Sequence, residues 1–201
     1  MPVQYGPSLK MTILWSNHNM RERPHDNCYW VVPGRLMAGE YPIAIREEDG
    51  LRKLAGIVAV GISHFIDLTQ TWDPLDPYEP MLHKMVDPSR SVPGYDRFAI
   101  TDMGIPDSPD QTNAILDRLD HLLAESRVPY VHCWGGIGRT GTIIGCWLVR
   151  HGQSGEEALA TIADHWTTVA KRHRYPQSPQ TQEQCQYVLR WADLDHIRIG
   201  T

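Results

Sequence analysis

Apolar positions recur with two different periods along this chain, and the places where the period changes mark out its elements. Tyr29-Trp-Val-Val32 and Arg35-Leu-Met-Ala38 flank Pro33-Gly34, which predicts two short strands around a turn. Over residues 43–59, Ile45, Leu51, Leu54, Ile57 and Val58 fall at helical intervals despite Gly50 and Gly56. His64-Phe-Ile-Asp-Leu68 is a compact apolar run and reads as a buried strand. The Pro- and Asp-rich residues 69–80 read as a surface loop, and residues 97–101 as another strand. Ser108-Pro-Asp-Gln111 has the form of a helix start, with Ser as N-cap, Pro at the first helical position and Gln three residues on. The helix it opens would bury Ile115, Leu116, Leu119, Leu122 and Leu123. Tyr130-Val-His132 is a short strand leading into Cys133. Three further helices are expected. One starts near Arg139 and buries Ile143, Ile144, Trp147 and Leu148; one is capped by Ser154 with Glu157 completing a capping box; one is opened by Ser178-Pro179 and runs to Trp191. Strands alternating with helices, followed by a helical half, describe one α/β domain. Residues 1–27 mix Pro, Asn, His and Arg with one apolar patch, and read as a partly ordered arm able to pack Leu14 or Trp15 onto the body at 28–201.

Composition narrows the class without naming the chemistry. With 41% hydrophobic and 21% charged residues, the 201-residue chain is neither disordered throughout nor fibrous. A net charge of −5 argues against sequence-independent binding to nucleic acid or to an anionic membrane. Cys28, Cys133, Cys146 and Cys185 have no short repeat between them, so neither a disulfide framework nor a zinc-ribbon spacing is expected. Cys146 and Cys185 read as buried small apolar residues, and His25-x2-Cys28 lacks the second pair a metal site needs, so no metal is expected. The N-terminus lacks a basic start followed by an apolar run, and the longest apolar stretch falls far short of the roughly 20 residues a bilayer span requires. A cytoplasmic monomer, free of nucleic-acid and membrane partners, is the resulting expectation.

Val131-His-Cys-Trp-Gly-Gly-Ile-Gly-Arg-Thr-Gly141 carries the chemistry. A strand ends at Cys133, a loop with three glycines follows, and a helix begins at Arg139. Glycines let successive backbone N–H groups turn inward as a cradle for an anion, and the helix N-terminus directs its positive end into the same place. A thiol set there is favoured as the nucleophilic thiolate. Arg139 can grip two oxygens of a tetrahedral oxyanion in its planar fork, a role an inert glycine turn would not need. A thiolate beside a phosphate-shaped anion site implies a phosphatase. An acid must protonate the leaving group, and Thr101-Asp-Met-Gly-Ile-Pro-Asp107 offers Asp102 and Asp107, with Asp110 close behind. Asp107 and Asp110 are already explained as carboxylates beside a helix N-terminus. Asp67 and Asp73 read as turn or surface carboxylates, and Lys171-Arg-His-Arg174 as a basic surface at a helix end.

His132-Cys133-x5-Arg139-Thr140 resembles the signature of the cysteine-dependent protein tyrosine phosphatase superfamily, in particular its compact dual-specificity-like members. Trp30-Val-Val-Pro-Gly-Arg-Leu-Met-Ala-Gly-Glu-Tyr41 is similar to the opening hairpin of such enzymes, and Gln180-Thr-Gln-Glu-Gln184 to their glutamine-bearing helix start. The resemblance implies a phosphatase-like single domain with a central, mostly parallel sheet flanked by helices. It implies a phosphocysteine mechanism without cofactor, in which Cys133 attacks, Arg139 and the amides of Trp134, Gly135, Gly136, Ile137 and Gly138 hold the phosphoryl oxygens, and Asp102 is the general acid, with Asp107 its rival. It further implies that Thr140 hydrogen-bonds the sulfur, that His132 orients the loop, and that Gln180 or Gln184 positions the attacking water. Phosphoinositide-directed relatives often carry lysines within the loop. Their absence here points to a phosphorylated protein or peptide as partner, with phosphotyrosine favoured over phosphoserine and phosphothreonine. A lipid phosphatase and a non-enzymatic phosphoprotein-binding module are the alternatives.

Overall fold

The computed structural model describes residues 22–43, 47–85 and 91–196. Its sheet comprises β1 (Cys28–Val32), β2 (Leu36–Gly39), β3 (His64–Asp67), β4 (Gly94–Arg97) and β5 (Pro129–His132), in the order β1-β2-β5-β3-β4. The β1–β2 hairpin is antiparallel and every other pairing is parallel. The helices are α1 (Glu47–Ala59), α2 (Glu79–Met85), α3 (Pro109–Ala124), α4 (Gly138–Arg150), α5 (Gly155–Trp166), α6 (Gln182–Leu189) and α7 (Trp191–His196), with a short 3-10 helix at Ala170–His173. The parallel register places Gly39 beside His132, His132 beside Asp67, and Asp67 beside Arg97. Four strands therefore end level, and the loops that leave them converge on one edge, where open α/β sheets place their ligands.

Strand residues alternate between the two faces, as the period of two requires. Tyr29, Val31, Leu36, Ala38, Ile66 and Val131 pack in one apolar cluster with α3, α4 and α5, whereas Trp30, Met37, Phe65 and Tyr130 pack in the other with Leu54 and Ile57 of α1 and Leu82 of α2. α4 is buried from Gly138 to Val149 and is the central helix of its layer. Gly145 lets α6 approach it, because a Cβ there would sit 2.7 Å from a Val188 methyl and 3.2 Å from Ile162. The caps follow the local rules. Ser108 Oγ accepts from Gln111 N at 3.2 Å, and Ser154 and Glu157 form a capping box on α5.

The structure departs from the sequence expectations at several polar segments. β4 lies at 94–97 rather than 97–101, because the edge strand Gly-Tyr-Asp-Arg is only partly buried and its apolar continuation misled the pattern. Beyond Arg97 the chain still bonds to its neighbour, Phe98 N to Asp67 O at 2.8 Å and Ile100 N to Leu68 O at 3.1 Å, without remaining a regular strand. The expected 69–80 loop gives way to α2 at Glu79, since Pro80 sits in the first helical turn where a missing N–H costs nothing. The helix expected from Ser178-Pro179 to Trp191 is two helices, the first capped by Thr181 in a box with Gln184, with Arg190 closing it before α7. The cluster at 171–174 lies in the 3-10 helix and its C-cap rather than at the end of an α-helix. The described part of the first helix begins at Glu47, and residues 44–46 lie outside the described residues, as do Leu14 and Trp15 of the expected arm. Cys146 is buried in the core, but Cys185 is only half-buried.

Gly145→Val should wedge α6 away from α4 and lower stability by about 1–3 kcal/mol, the usual cost of overpacking, as read from the midpoint of urea denaturation.

Candidate active site

The loop between β5 and α4 is built around outward-facing carbonyls. Trp134 O accepts from Tyr41 N at 3.0 Å, Gly135 O from Lys171 Nζ at 2.8 Å, and Ile137 O from Ser178 Oγ at 2.8 Å. A planar trans peptide directs its N–H opposite its C=O. The N–H groups of Gly135, Gly136 and Gly138 therefore point away from the partners of these three carbonyls, in the loop that runs into the N-terminus of α4. Gly136 sits at φ +69°, and a Cβ there would meet the carbonyl carbon of Gly39 at 2.3 Å, so the end of β2 admits only glycine. Cys133 is a free, buried thiol at the start of this loop.

Arg139, in the first turn of α4, has its side chain only 1% exposed. Its Nη1 donates to Asp73 Oδ2 at 2.7 Å and to the Ile100 carbonyl at 3.1 Å. The opposite edge is not held in this way. Nε and Nη2 are buried without an aligned acceptor, although Asp102 Oδ1 lies 2.8 Å from Nη2 as an ion pair off the N–H direction. Burial alone would lower the Arg139 pKa; the charge of Cys133 and the carboxylates of Asp73 and Asp102 outweigh it and raise the value above the ordinary one. The guanidinium is thus anchored on one edge and offers two donors on the other.

Asp102 leaves the edge beyond β4 with half its side chain in solvent. It lines a cavity of about 380 Å³ together with Met103, Trp134, Lys171, Tyr175 and Gln180. Asp107 is exposed and outside that lining, where its backbone N–H donates to Gln111 Oε1 at 2.7 Å, and Asp110 lies in the first turn of α3. Of the three aspartates the sequence offered, only Asp102 meets Arg139.

His132 is fully buried, with Nε2 2.6 Å from Tyr78 Oη, Nδ1 3.3 Å from Cys133 O and 3.9 Å from Asp67 Oδ1. Burial pushes its pKa down to about 4 against the pull of Asp67, so the ring is neutral at physiological pH and serves as a hydrogen-bonded spacer. Asp67 is no surface carboxylate. It is wholly buried and accepts from Thr69 N at 2.8 Å, Thr69 Oγ1 at 2.7 Å, Tyr95 Oη at 2.7 Å and Arg97 Nη2 at 3.1 Å. Asp73 is likewise no free surface group but the anchor of Arg139. Thr140 is buried and its hydroxyl has no hydrogen-bond partner among the described residues, so the bond to the Cys133 sulfur implied by the family resemblance is not made here. Gln184 is also fully buried. Its Oε1 accepts from the backbone N–H groups of Gln180 and Thr181, each at 3.1 Å, and Nε2 donates to Gly104 O at 2.8 Å. With all its polar atoms committed, Gln184 ties α6 to the Asp102 loop, whereas Gln180 lines the cavity.

Lys171, Glu40, Ser178, Tyr41 and Asp73 meet the site in ways the sequence did not assign: Lys171 and Asp73 read as surface charges, Ser178 as the opening of a helix, and Glu40 and Tyr41 as the end of a hairpin-like segment. His25 and Cys28 are committed elsewhere, His25 Nε2 3.2 Å from Tyr130 Oη and Cys28 Sγ donating to His25 O at 3.1 Å. Among the described residues no group of three or more His, Cys, Asp or Glu side chains could hold a metal ion, and no helix is long and apolar enough to cross a membrane.

The chain has relatives among known proteins. The chain is 29% identical over 119 residues to the Arabidopsis thaliana phosphatidylinositol 3,4,5-trisphosphate 3-phosphatase and protein-tyrosine-phosphatase PTEN1, a match covering 58% of this chain and 27% of that protein. It is 37% identical over 71 residues to the Danio rerio dual specificity protein phosphatase CDC14AB, covering 34% of this chain and 11% of that protein. The fold is that of PTPMT1 crystallised with PI(5)P, with a TM-score of 0.64 at 17% identity over 87% of this chain and all (100%) of that one. The family model of the DSP-PTPase phosphatase domain of Swiss Army Knife proteins, PTP-SAK, matches residues 25–188. The glycine-rich loop after Cys133, the anchored Arg139 and Asp102 thus lie within a match spanning most of the chain, and the protein belongs to this family of phosphatase domains.

Proposed function

We propose that this protein hydrolyses phosphotyrosine in proteins or peptides through a phosphocysteine intermediate. The observation that carries the reading is the outer edge of Arg139, two buried donors without aligned acceptors and paired only with the half-exposed Asp102, next to a loop whose Trp134, Gly135 and Ile137 carbonyls are bonded elsewhere. Two oxygens of a phosphoryl group match that edge. On binding, the phosphoryl oxygens take the place of Asp102 at Nη2. Cys133 Sγ then attacks phosphorus, the bond from phosphorus to the ester oxygen breaks, and Asp102 gives its proton to the leaving oxygen. Arg139 and the loop amides stabilise the charge gathering on the equatorial oxygens. Water next attacks the phosphocysteine, Asp102 takes its proton, and the S–P bond breaks to free inorganic phosphate and the thiolate. In this reading Gln180, on the cavity wall, orients that water.

Tyrosine is favoured by the cavity wall. Met103 and Trp134 are 47% and 44% exposed, and with Tyr175 they offer apolar surface to an aryl ring above a loop that has no lysine. The Arabidopsis relative is named for both lipid and tyrosine activity, so the assay carries a lipid arm.

Cys133→Ser should abolish hydrolysis of a phosphotyrosine peptide while binding of that peptide persists. Turnover of phosphoinositide vesicles exceeding that of the peptide would overturn the choice of substrate, and activity surviving Cys133→Ser would overturn the mechanism. Asp102→Asn should lower kcat for phosphotyrosine peptide by about 10²–10⁴-fold and affect nitrophenyl phosphate far less, because a good leaving group needs no proton; Asp107→Asn should leave both near wild type. Asp73→Ala, which releases the anchored edge of Arg139, should reduce kcat/KM about 10–100-fold for every phosphate ester, measured by steady-state kinetics.

A further inference from the structure

The Gly135–Gly136 peptide is the pivot of the anion loop. Glycine on both sides removes the Cβ barriers to rotation about this peptide, and Gly136 already occupies a left-handed conformation at φ +69°. A flipped peptide would aim the Gly135 carbonyl at the phosphoryl site and withdraw the Gly136 N–H from it. The Trp134 and Ile137 carbonyls are held by a backbone amide and a neutral hydroxyl, from Tyr41 N and Ser178 Oγ. The Gly135 carbonyl is held by a charged side chain, Lys171 Nζ, at 2.8 Å.

That ammonium is itself fixed in place. It is paired with Glu40, whose other oxygen takes Lys53 Nζ at 2.7 Å and Asn27 Nδ2 at 3.2 Å. The Lys171 backbone N–H donates to Asn27 Oδ1 at 3.2 Å, and the preceding Ala170 N–H to Asp26 O at 3.0 Å. Glu40 follows directly on Gly39, which abuts Gly136, and precedes Tyr41, which holds Trp134 O. The residues after β2 thus form a template against the loop, with Lys171 as its charged arm.

We propose that Lys171, anchored by Glu40, is a positioning residue that latches the Gly135–Gly136 peptide so that the Gly136 N–H faces the phosphoryl group. The proposal rests on the phosphatase reading of this site and adds a residue to it. A latch acts on the phosphoryl position itself, so its loss is felt by every ligand bearing that group, whereas a lysine reading a neighbouring charge on the substrate would matter only for substrates that carry one.

The test compares wild type, Lys171→Met and the exposed-charge control Arg172→Ala, using inorganic phosphate, nitrophenyl phosphate and a doubly phosphorylated peptide, with amide NMR spectra of glycine-labelled protein. Melting temperatures confirm that all three are folded. Wild type and Arg172→Ala should bind inorganic phosphate and show a shifted Gly136 amide resonance on its addition. In Lys171→Met that shift should be lost, phosphate should bind about tenfold more weakly or worse, and kcat/KM for nitrophenyl phosphate should fall by a similar factor. Phosphate affinity and the Gly136 shift unchanged in Lys171→Met would overturn the latch, and so would a defect confined to the doubly phosphorylated peptide. Failure of the wild type itself to bind phosphate or to hydrolyse any of these esters would instead overturn the reading of the site on which the latch rests.

Discussion

A ring of backbone amides holds a phosphoryl group only if the carbonyls alternating with them are taken up elsewhere, since a carbonyl left facing the bowl repels the oxygens that the amides attract. In this chain three of the loop carbonyls are taken up, from three directions. The residue after Glu40 holds the first carbonyl through Tyr41 N, the 3-10 helix at 170–173 holds the next through Lys171, and the segment before α6 holds that of Ile137 through Ser178. Ser178 lies at a sequence position that suits a helix cap, yet its hydroxyl serves the loop, and Thr181 caps α6 instead. The level ends of β2, β5 and β3 bring these donors to one place.

Arg139 obeys a related constraint. A guanidinium almost removed from solvent would be costly without partners, and a guanidinium satisfied on all sides would have nothing left for a ligand. Asp73 and the Ile100 carbonyl hold one edge, and Asp102 lies against the other without aligned hydrogen bonding. Two carboxylates from different loops thus do different things to one cation. Asp73, nearly buried, fixes it; Asp102, half in solvent, can leave when a more strongly charged group arrives. Beneath them, the neutral His132 ring links Tyr78 to the Cys133 carbonyl and joins the end of β5 to the segment before α2.

Local pattern was enough to place β1, β2, β3, β5 and α3–α5, because their apolar residues are buried at regular intervals and their caps lie within four residues of what they cap. It failed for β4 and α2, where Tyr95, Asp96 and Arg97 lie at a sheet edge and Pro80 hides a helix start. The site divides in the same way. Cys133, the glycines and Arg139 share one strand–loop–helix unit, so spacing alone revealed them. Gln184 was noted for the wrong reason, since a glutamine at a helix start looks the same in sequence whether it faces a cavity or caps its own helix.

The sequence by itself determined the glycine-rich loop after Cys133, the placement of Arg139 at its end and the helix that follows, because each depends on residues a few positions apart. Tertiary structure alone decided what stands around them. Asp73 lies 66 residues from Arg139 and Lys171 lies 36 from Gly135, and nothing local to either distinguishes it from a solvated surface charge. The physical reason is that hydropathy records what a side chain prefers, not what closes over it. Asp67, Asp73 and Lys171 are polar residues whose partners arrive only when the strand ends align, and their roles become defined at that moment.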